Sequence, residues 1–180
     1  ISNNSVKQIQ INLIPKEDGT SEIANIQPNG NILTYRVDLT NGNHEIRARL
    51  FTISDTQKVS VGDYVTIASS TNFGLYEPFT LVLSDTEAYV IYSKENSLSN
   101  QDIVAKKINI AKNVITNVGD EFVIVSGTNQ KDDEGNVVAN SRPGFGVVAK
   151  LIDNTYIMLF ESNVNNTNTD YPYVVQYIYF

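Results

Sequence analysis

The sequence predicts an all-β protein, and three observations carry that reading. Apolar and polar residues alternate with period two in many short stretches, while no stretch sustains the 3.6-residue period of a helix. These stretches are rich in Val, Ile, Tyr and Thr, which suit a pleated, half-buried surface. Turn-forming residues separate them, most clearly at Pro28-Asn29-Gly30-Asn31, Ser84-Asp85-Thr86 and Asp153-Asn154. The Asn29-Gly30 pair carries the signature of a type I′ hairpin, whose two central residues both need positive φ.

Taken in order, the expected strands run from Lys7 to Leu13, Ile23 to Gln27, Ile32 to Val37, Glu45 to Ile53, Tyr64 to Ala68, Thr80 to Leu83, Ala88 to Ser93, Asp102 to Ile110, Glu121 to Val125, Val147 to Leu151, Tyr156 to Phe160 and Tyr173 to Tyr179. Aligning the chain on its three hairpin turns exposes an internal repeat, starting at Glu22, Glu77 and Arg142. Each unit leads through a hairpin to a second strand with Tyr or Phe near its end, and then to a third strand. The first two units continue into a Gly-Asp turn and a short fourth strand, from Gly62 and Gly119. Units of roughly 55 to 65 residues with four antiparallel strands have the size of a β-propeller blade.

The expected fold is therefore a partial β-propeller of about three four-stranded antiparallel blades, the last incomplete, within one domain over residues 1–180. The units span approximately 20–70, 75–127 and 141–180, with an extra N-terminal strand within 1–13. A β-sandwich is the competing architecture. A closed propeller takes typically about four to eight blades, so the chain reads as half a ring. Either another chain or a second copy completes it, or the units form an open sheet.

Composition removes whole classes of function. The chain has 180 residues and a formal charge of -7, with Lys and Arg never gathered into a stripe, so nucleic acid is not an expected partner. No apolar run approaches the ~18 residues that span a bilayer. With no Cys and one His, disulfides, thiolate nucleophiles, the usual Ser-His-Asp triads and His- or Cys-built zinc sites are excluded. Neither a metal nor a cofactor is expected. The chain opens on Ile1 without a charged segment or an apolar core behind it, so its natural start is expected to lie upstream.

Three segments carry a resemblance to a known family: Gly74-Leu75-Tyr76-Glu77-Pro78-Phe79; Tyr92-Ser93-Lys94-Glu95 with Gln101-Asp102-Ile103-Val104; and Ser141-Arg142-Pro143-Gly144-Phe145-Gly146-Val147-Val148 followed by Tyr156-Ile157-Met158-Leu159-Phe160-Glu161. Together they resemble the sialidase-like (Asp-box) β-propeller superfamily, and within it the exo-acting arabinanases. True sialidases open their first blade with Arg-Ile-Pro, where this chain has Glu22-Ile23-Ala24, and the Asp-box turns survive only as Trp-free stretches near Ser54-Asp55 and Val118-Gly119-Asp120. The resemblance implies a glycoside hydrolase acting on exo-linked neutral sugars such as arabinan, secreted or displayed on a bacterial surface. The alternative is a non-catalytic carbohydrate-binding or adhesion propeller on a bacterial or phage surface. Its partners would be carbohydrate and a protein or second copy that completes the ring.

Glycoside hydrolysis needs one carboxyl group to protonate the leaving oxygen and a second to act as nucleophile or to activate water. The resemblance implies Glu77 as nucleophile and Glu161 as general acid/base, in a retaining mechanism. Each has a bland alternative, a strand start before Pro78 for Glu77 and a strand end at the solvent edge for Glu161. Arg142 is a candidate to hold a carboxylate or sugar hydroxyls, or to pair with an acidic residue. Arg36, at the comparable point of the first unit, is a further pocket candidate, while Arg47 and Arg49 read as a solvated outer face. Without Trp, ring contacts fall to Tyr76, Tyr92, Phe145 or Tyr156. Asp102 is either a sugar contact or a turn cap. His44 lies in a turn and receives no role, and the Lys131 to Asn136 loop reads as a solvated insertion.

Overall fold

In the computed structural model, residues 14, 19–96, 100–127, 130–131, 134, 137–150, 156–165 and 174–179 are described, and those in the strands beyond residue 130 by their backbone pairing. Twelve strands and no helix occur among them. They are β1 (Thr20–Asn29), β2 (Ile32–Leu39), β3 (His44–Ile53), β4 (Val59–Ser70), β5 (Leu75–Ser84), β6 (Glu87–Glu95), β7 (Gln101–Ala111), β8 (Val114–Val125), β9 (Gln130–Lys131), β10 (Val137–Lys150), β11 (Tyr156–Asn165) and β12 (Val174–Tyr179). They form four-stranded antiparallel sheets in chain order, β1-β2-β3-β4, β5-β6-β7-β8 and β9-β10-β11-β12. Each strand pairs with its sequence neighbour, so every connection within a sheet is a hairpin.

The turns differ in kind from the expectation. Asn29 pairs with Ile32, which leaves Gly30-Asn31 as the two-residue loop, and of the two only Gly30 has positive φ, at 58°. That is the pattern of a type II′ turn, which places Gly first, rather than of type I′. The turn with two positive-φ residues is Lys112-Asn113, at 52° and 58°, between β7 and β8. Neither residue is Gly, so Asn113, which tolerates left-handed backbone, is the one turn signal in its composition.

Bulges lengthen several strands beyond their expected bounds. Gly62-Asp63 and Gly119-Asp120 are not turns: they are extra residues inside β4 and β8, each 12 residues long, where the register against β3 and β7 shifts. A bulge increases local twist and breaks the ladder, which blunts an outer strand as a template for pairing. The first strands bulge as well. Asn25, at φ 53°, sits in the shift between Ala24 and Gln27, and Glu77, at φ 50°, in the shift between Tyr76 and Phe79. Across these two bulges lie Tyr35 and Tyr92, among the largest fully buried side chains of their sheets. The third sheet has its fourth strand, but in front of β10 as the short β9 rather than after β12. The expected strand from Lys7 to Leu13 and the turn at Asp153-Asn154 lie outside the described residues.

Alternation within β6 and β7 decides how the sheets stack. Ala88, Val90 and Tyr92 of β6, with Val104, Ile108 and Ile110 of β7, face the first sheet and pack on its Ile32, Ile46, Ala48, Leu50 and Ile67. The intervening residues Ile91, Ile103 and Ala105 face the other way and pack with Leu81 and Tyr156, the first residue of β11. A sheet covered on both faces needs apolar side chains at consecutive positions, which is why β6 reads Ala-Tyr-Val-Ile-Tyr without a polar break. The first sheet meets β5 through β1, β2 and β3, whereas β10 of the third sheet lies chiefly over β7 and β6.

Polar pins cross the seam between the first two sheets. Asn29 Nδ2 donates to the Thr80 carbonyl at 2.7 Å, Thr80 Oγ1 donates to Thr34 Oγ1 at 3.4 Å, and Lys106 Nζ donates to the Ile67 carbonyl at 2.9 Å. Burying these groups without partners would cost about 1–3 kcal/mol each, so the pins also fix how the sheets align.

Ile46→Ala, at the centre of this seam, is expected to cost about 2–5 kcal/mol, whereas truncating the exposed Val114 to Ala changes stability by less than about 0.5 kcal/mol. Asn113→Gly, which relieves a left-handed residue, is expected to raise the urea midpoint slightly. Equilibrium urea unfolding of the three variants checks all of these.

Candidate functional site

The residues with the most developed chemistry gather at one end of the seam between the first two sheets, away from the Gly30 turn. Ile32, Thr34, Arg36 and Asp38 alternate onto the same face of β2, the face turned to the second sheet. Arg36 reaches along the strand to Asp38 as a two-pronged fork, Nε to Oδ1 at 2.9 Å and a terminal nitrogen to Oδ2 at 2.6 Å. His44 lies directly across from Asp38 in the β2–β3 pairing and sets its Nδ1 2.6 Å from Oδ1. The short connection from Thr40 to Asn43 makes that register possible, through the Asn43 amide on Asn41 Oδ1 at 3.0 Å and the Leu39 amide on the Asn43 carbonyl at 2.8 Å.

From the second sheet, Tyr76 completes the group. The Arg36 guanidinium lies 4.9 Å from the centre of the Tyr76 ring, a cation–π distance. The ring takes this position only because residue 74 is Gly: a Cβ there would collide with the Tyr76 ring and hydroxyl. Glu95 pins Gly74, accepting its amide at 3.0 Å on Oε2 and donating its own amide to the Gly74 carbonyl at 3.1 Å. Glu77 follows, exposed and held at φ 50°, a region that residues other than Gly and Asn seldom adopt, while the adjacent Pro78 is buried.

Partial burial pushes the Asp38 carboxyl up, but hydrogen bonds and charge from Arg36 and His44 outweigh it and hold the group below its ordinary range. A second carboxylate behaves alike. Burial raises Glu121, and Lys94, 2.6 Å from its Oε1, together with the Tyr92 hydroxyl more than offsets this. Burial first, and then the hydrogen bond to Glu121 and its charge, raise Tyr92 far above an ordinary phenol, so it stays a donor.

Arg36 and Tyr76, two of the residues expected at a sugar site, are thus in contact. Tyr92 is not beside them in the same role. Its ring is fully enclosed between the sheets and offers no face for stacking, because β6 is covered on both sides. Asp102 accepts from Asn96 Nδ2 at 2.6 Å, Ser126 Oγ at 3.3 Å and the Gly127 amide at 2.9 Å, which ties together the segments after β6 and β8 as a turn cap does. Tyr156 is buried against the second sheet. In the third sheet, Glu161 pairs with Gly144 and Val175, Arg142 with Asn163 and Phe145 with Phe160; the side chains of Glu161, Arg142 and Phe145 lie outside the described part. Asp132 and Asp133 of the polar loop also lie outside the described residues.

Arg47 and Arg49 correct the expectation of a solvated face, each being only 5% exposed. Arg47 Nε donates to Glu45 Oε2 at 2.8 Å with its guanidinium 4.1 Å from the Tyr64 ring centre, and Arg49 Nε donates to the Tyr35 hydroxyl at 3.0 Å. The residues missed in the sequence are Asp38 and His44. The Arg-x-Asp spacing on a strand, which puts both side chains on one face, was the available signal for the first.

Among the described residues no group of three or more His, Asp or Glu could hold a metal ion, and no helix is long and apolar enough to cross a membrane. No family model, no curated protein and no solved structure matches the chain.

The depressed carboxylates set an acid limb. Asp38 and Glu121 release their protons more readily folded than unfolded, so their contribution is complete above the unfolded values, near pH 4, and is lost as pH falls through the lower folded values. Asp38→Asn is expected to cost about 1–3 kcal/mol at pH 7 and markedly less at pH 3. Urea unfolding of wild type and variant at both pH values measures the difference.

Proposed function

We propose that this chain is a carbohydrate-binding or adhesion module of propeller type, and that neutral sugar hydroxyls dock at the Arg36–Tyr76 end of the first seam. The observation that carries this reading is the braced group itself: a guanidinium locked by Asp38, laid on Tyr76 and flanked by His44. The Asp38 carboxylate offsets the charge of Arg36, so the group has little pull on an anion. It still presents N–H and O–H groups to hydroxyls, since the fork to Asp38 uses two of the five guanidinium donors. Consecutive four-stranded meanders stacked face to face support the propeller reading, and the resemblance to exo-arabinanases supports arabinose-containing glycans on a bacterial or phage surface as the first class to try. The chiefly β6–β7 seat of β10 favours an open array completed by a second copy over an evenly radial ring.

A retaining glycosidase with Glu77 as nucleophile and Glu161 as acid/base is the second reading. It is favoured by one feature: Glu77 is held in left-handed backbone immediately before a proline, and strain of this kind concentrates at functional sites.

Binding to a panel of arabino-oligosaccharides and other neutral glycans tests the first reading. Arg36→Ala and Tyr76→Ala are each expected to weaken binding about tenfold or more, the loss of roughly 1.4 kcal/mol or more. Hydrolysis of aryl arabinofuranosides by wild type and Glu77→Gln separates the two. Binding without turnover supports the module, turnover that Glu77→Gln abolishes replaces it with the hydrolase, and neither binding nor turnover overturns both.

A further inference from the structure

At the other end of the same seam, beside the Gly30 turn, a cleft of about 230 Å³ opens between the first and second sheets. Leu50, Gly62, Asp63 and Val65 line it from one sheet, and Asn113, Val114 and Ile115 from the other. Both irregularities that shape it are backbone features already described. The Gly62-Asp63 bulge turns β4 aside, and the left-handed Lys112-Asn113 turn brings Asn113 to the rim. Its floor is aliphatic and almost fully buried at Leu50 and Ile115, 4% and 8% exposed, while Val114 stands 57% exposed at the mouth. At roughly 30 Å³ per water, the space equals about eight waters, enough for an aliphatic chain of a few carbons and a small polar head.

The polar groups of the rim decide which head fits. Asp63 carries a carboxylate, Asn113 carries an amide whose oxygen can accept, and no Lys or Arg is among the described lining residues. The chain as a whole carries -7, which raises the local concentration of cations and repels anions. A compact ammonium with three donors can meet two such acceptors, whereas a hydroxyl brings no charge. We propose that this cleft binds a primary ammonium on a short aliphatic chain, with the chain over Leu50, Val65 and Ile115 and the head on Asp63. The ligand is either a free alkylamine or a lysine side chain of a partner polypeptide. The site is separate from the Arg36–Tyr76 group and stands whether or not that group binds sugar.

Two-dimensional amide NMR titrations with n-pentylammonium, pentan-1-ol, pentanoate and N-acetyl-lysine methylamide test it. The amine is expected to shift the amides of Leu50, Asp63, Val65 and Ile115 with a Kd on the order of 1 mM, and the alcohol to bind about tenfold or more weaker. Asp63→Asn should abolish that preference, while Asp85→Asn, an exposed turn carboxylate elsewhere, should leave it unchanged. Binding by the lysine amide as well identifies a polypeptide source, and binding by the free amine alone identifies a small molecule. Equal affinity for amine and alcohol, retention of the preference in Asp63→Asn, or shifts centred elsewhere would overturn the proposal.

Discussion

Burial of the β5–β8 sheet on both faces is the constraint from which the remaining architecture follows. β6 and β7 pack Ala88, Val90, Tyr92, Val104 and Ile108 on one side and Ile91, Ile103 and Ala105 on the other. Neither set can be covered by the sheet's own strands, because a meander has no crossover to fold back over its face. Each face therefore requires a neighbouring sheet. The first sheet supplies one with Ile32, Ile46 and Leu50, and Tyr156 of the third joins the other. A one-residue slip of β6 against β7 would exchange the two sets, so the register is fixed from both sides.

Within that frame, irregular backbone locates the chemistry. Regular pleating turns Thr80 of β5 toward β2, but the contact between Tyr76 and Arg36 forms where β5 leaves the ladder. Gly74, the bulge at Glu77 and the buried Pro78 break the pleat, and Tyr76 folds back under the Arg36 guanidinium. The bulges of β4 and β8 act on the outer side of the same seam, and the cleft beside Asp63 lies where one of them bends its strand away. Both ends of the seam thus owe their shape to residues that leave the ladder, as bulges next to binding sites commonly do.

Charge is managed locally rather than by the net balance. Although the chain is acidic, three of its arginines are drawn into pairs with aromatic rings: Arg36 on Tyr76, Arg47 on Tyr64 and Arg49 on Tyr35. Two of them also carry a carboxylate two residues away on the same strand face, Asp38 for Arg36 and Glu45 for Arg47. An arginine held flat against a ring and braced by its own strand loses little further freedom when it meets a ligand, which suits Arg36 to recognition. Arg47 and Arg49 use the same chemistry to sit in a nearly closed face.

The sequence by itself determined the strand class, the hairpins at Gly30-Asn31 and Asp85-Thr86 and the alternation that divides each strand into two faces, because these depend on residues one or two positions apart. Period two made β2, β3, β6 and β7 legible almost to their ends, and Arg36 and Tyr76 were legible as candidates because charge and aromatic surface are properties of single residues. The tertiary structure alone decided which faces meet. It buried Tyr92, Arg47 and Arg49, since the covering sheet and the Tyr64 ring come from other strands, and it joined Arg36 to Tyr76 across 40 positions of chain. It also recruited Asp38 and His44, whose pairing depends on the β2–β3 register rather than on any local motif. The bulges hid β4 and β8 for the same reason: an extra residue breaks period two exactly where the strand continues, and only pairing with a partner strand reveals that it does.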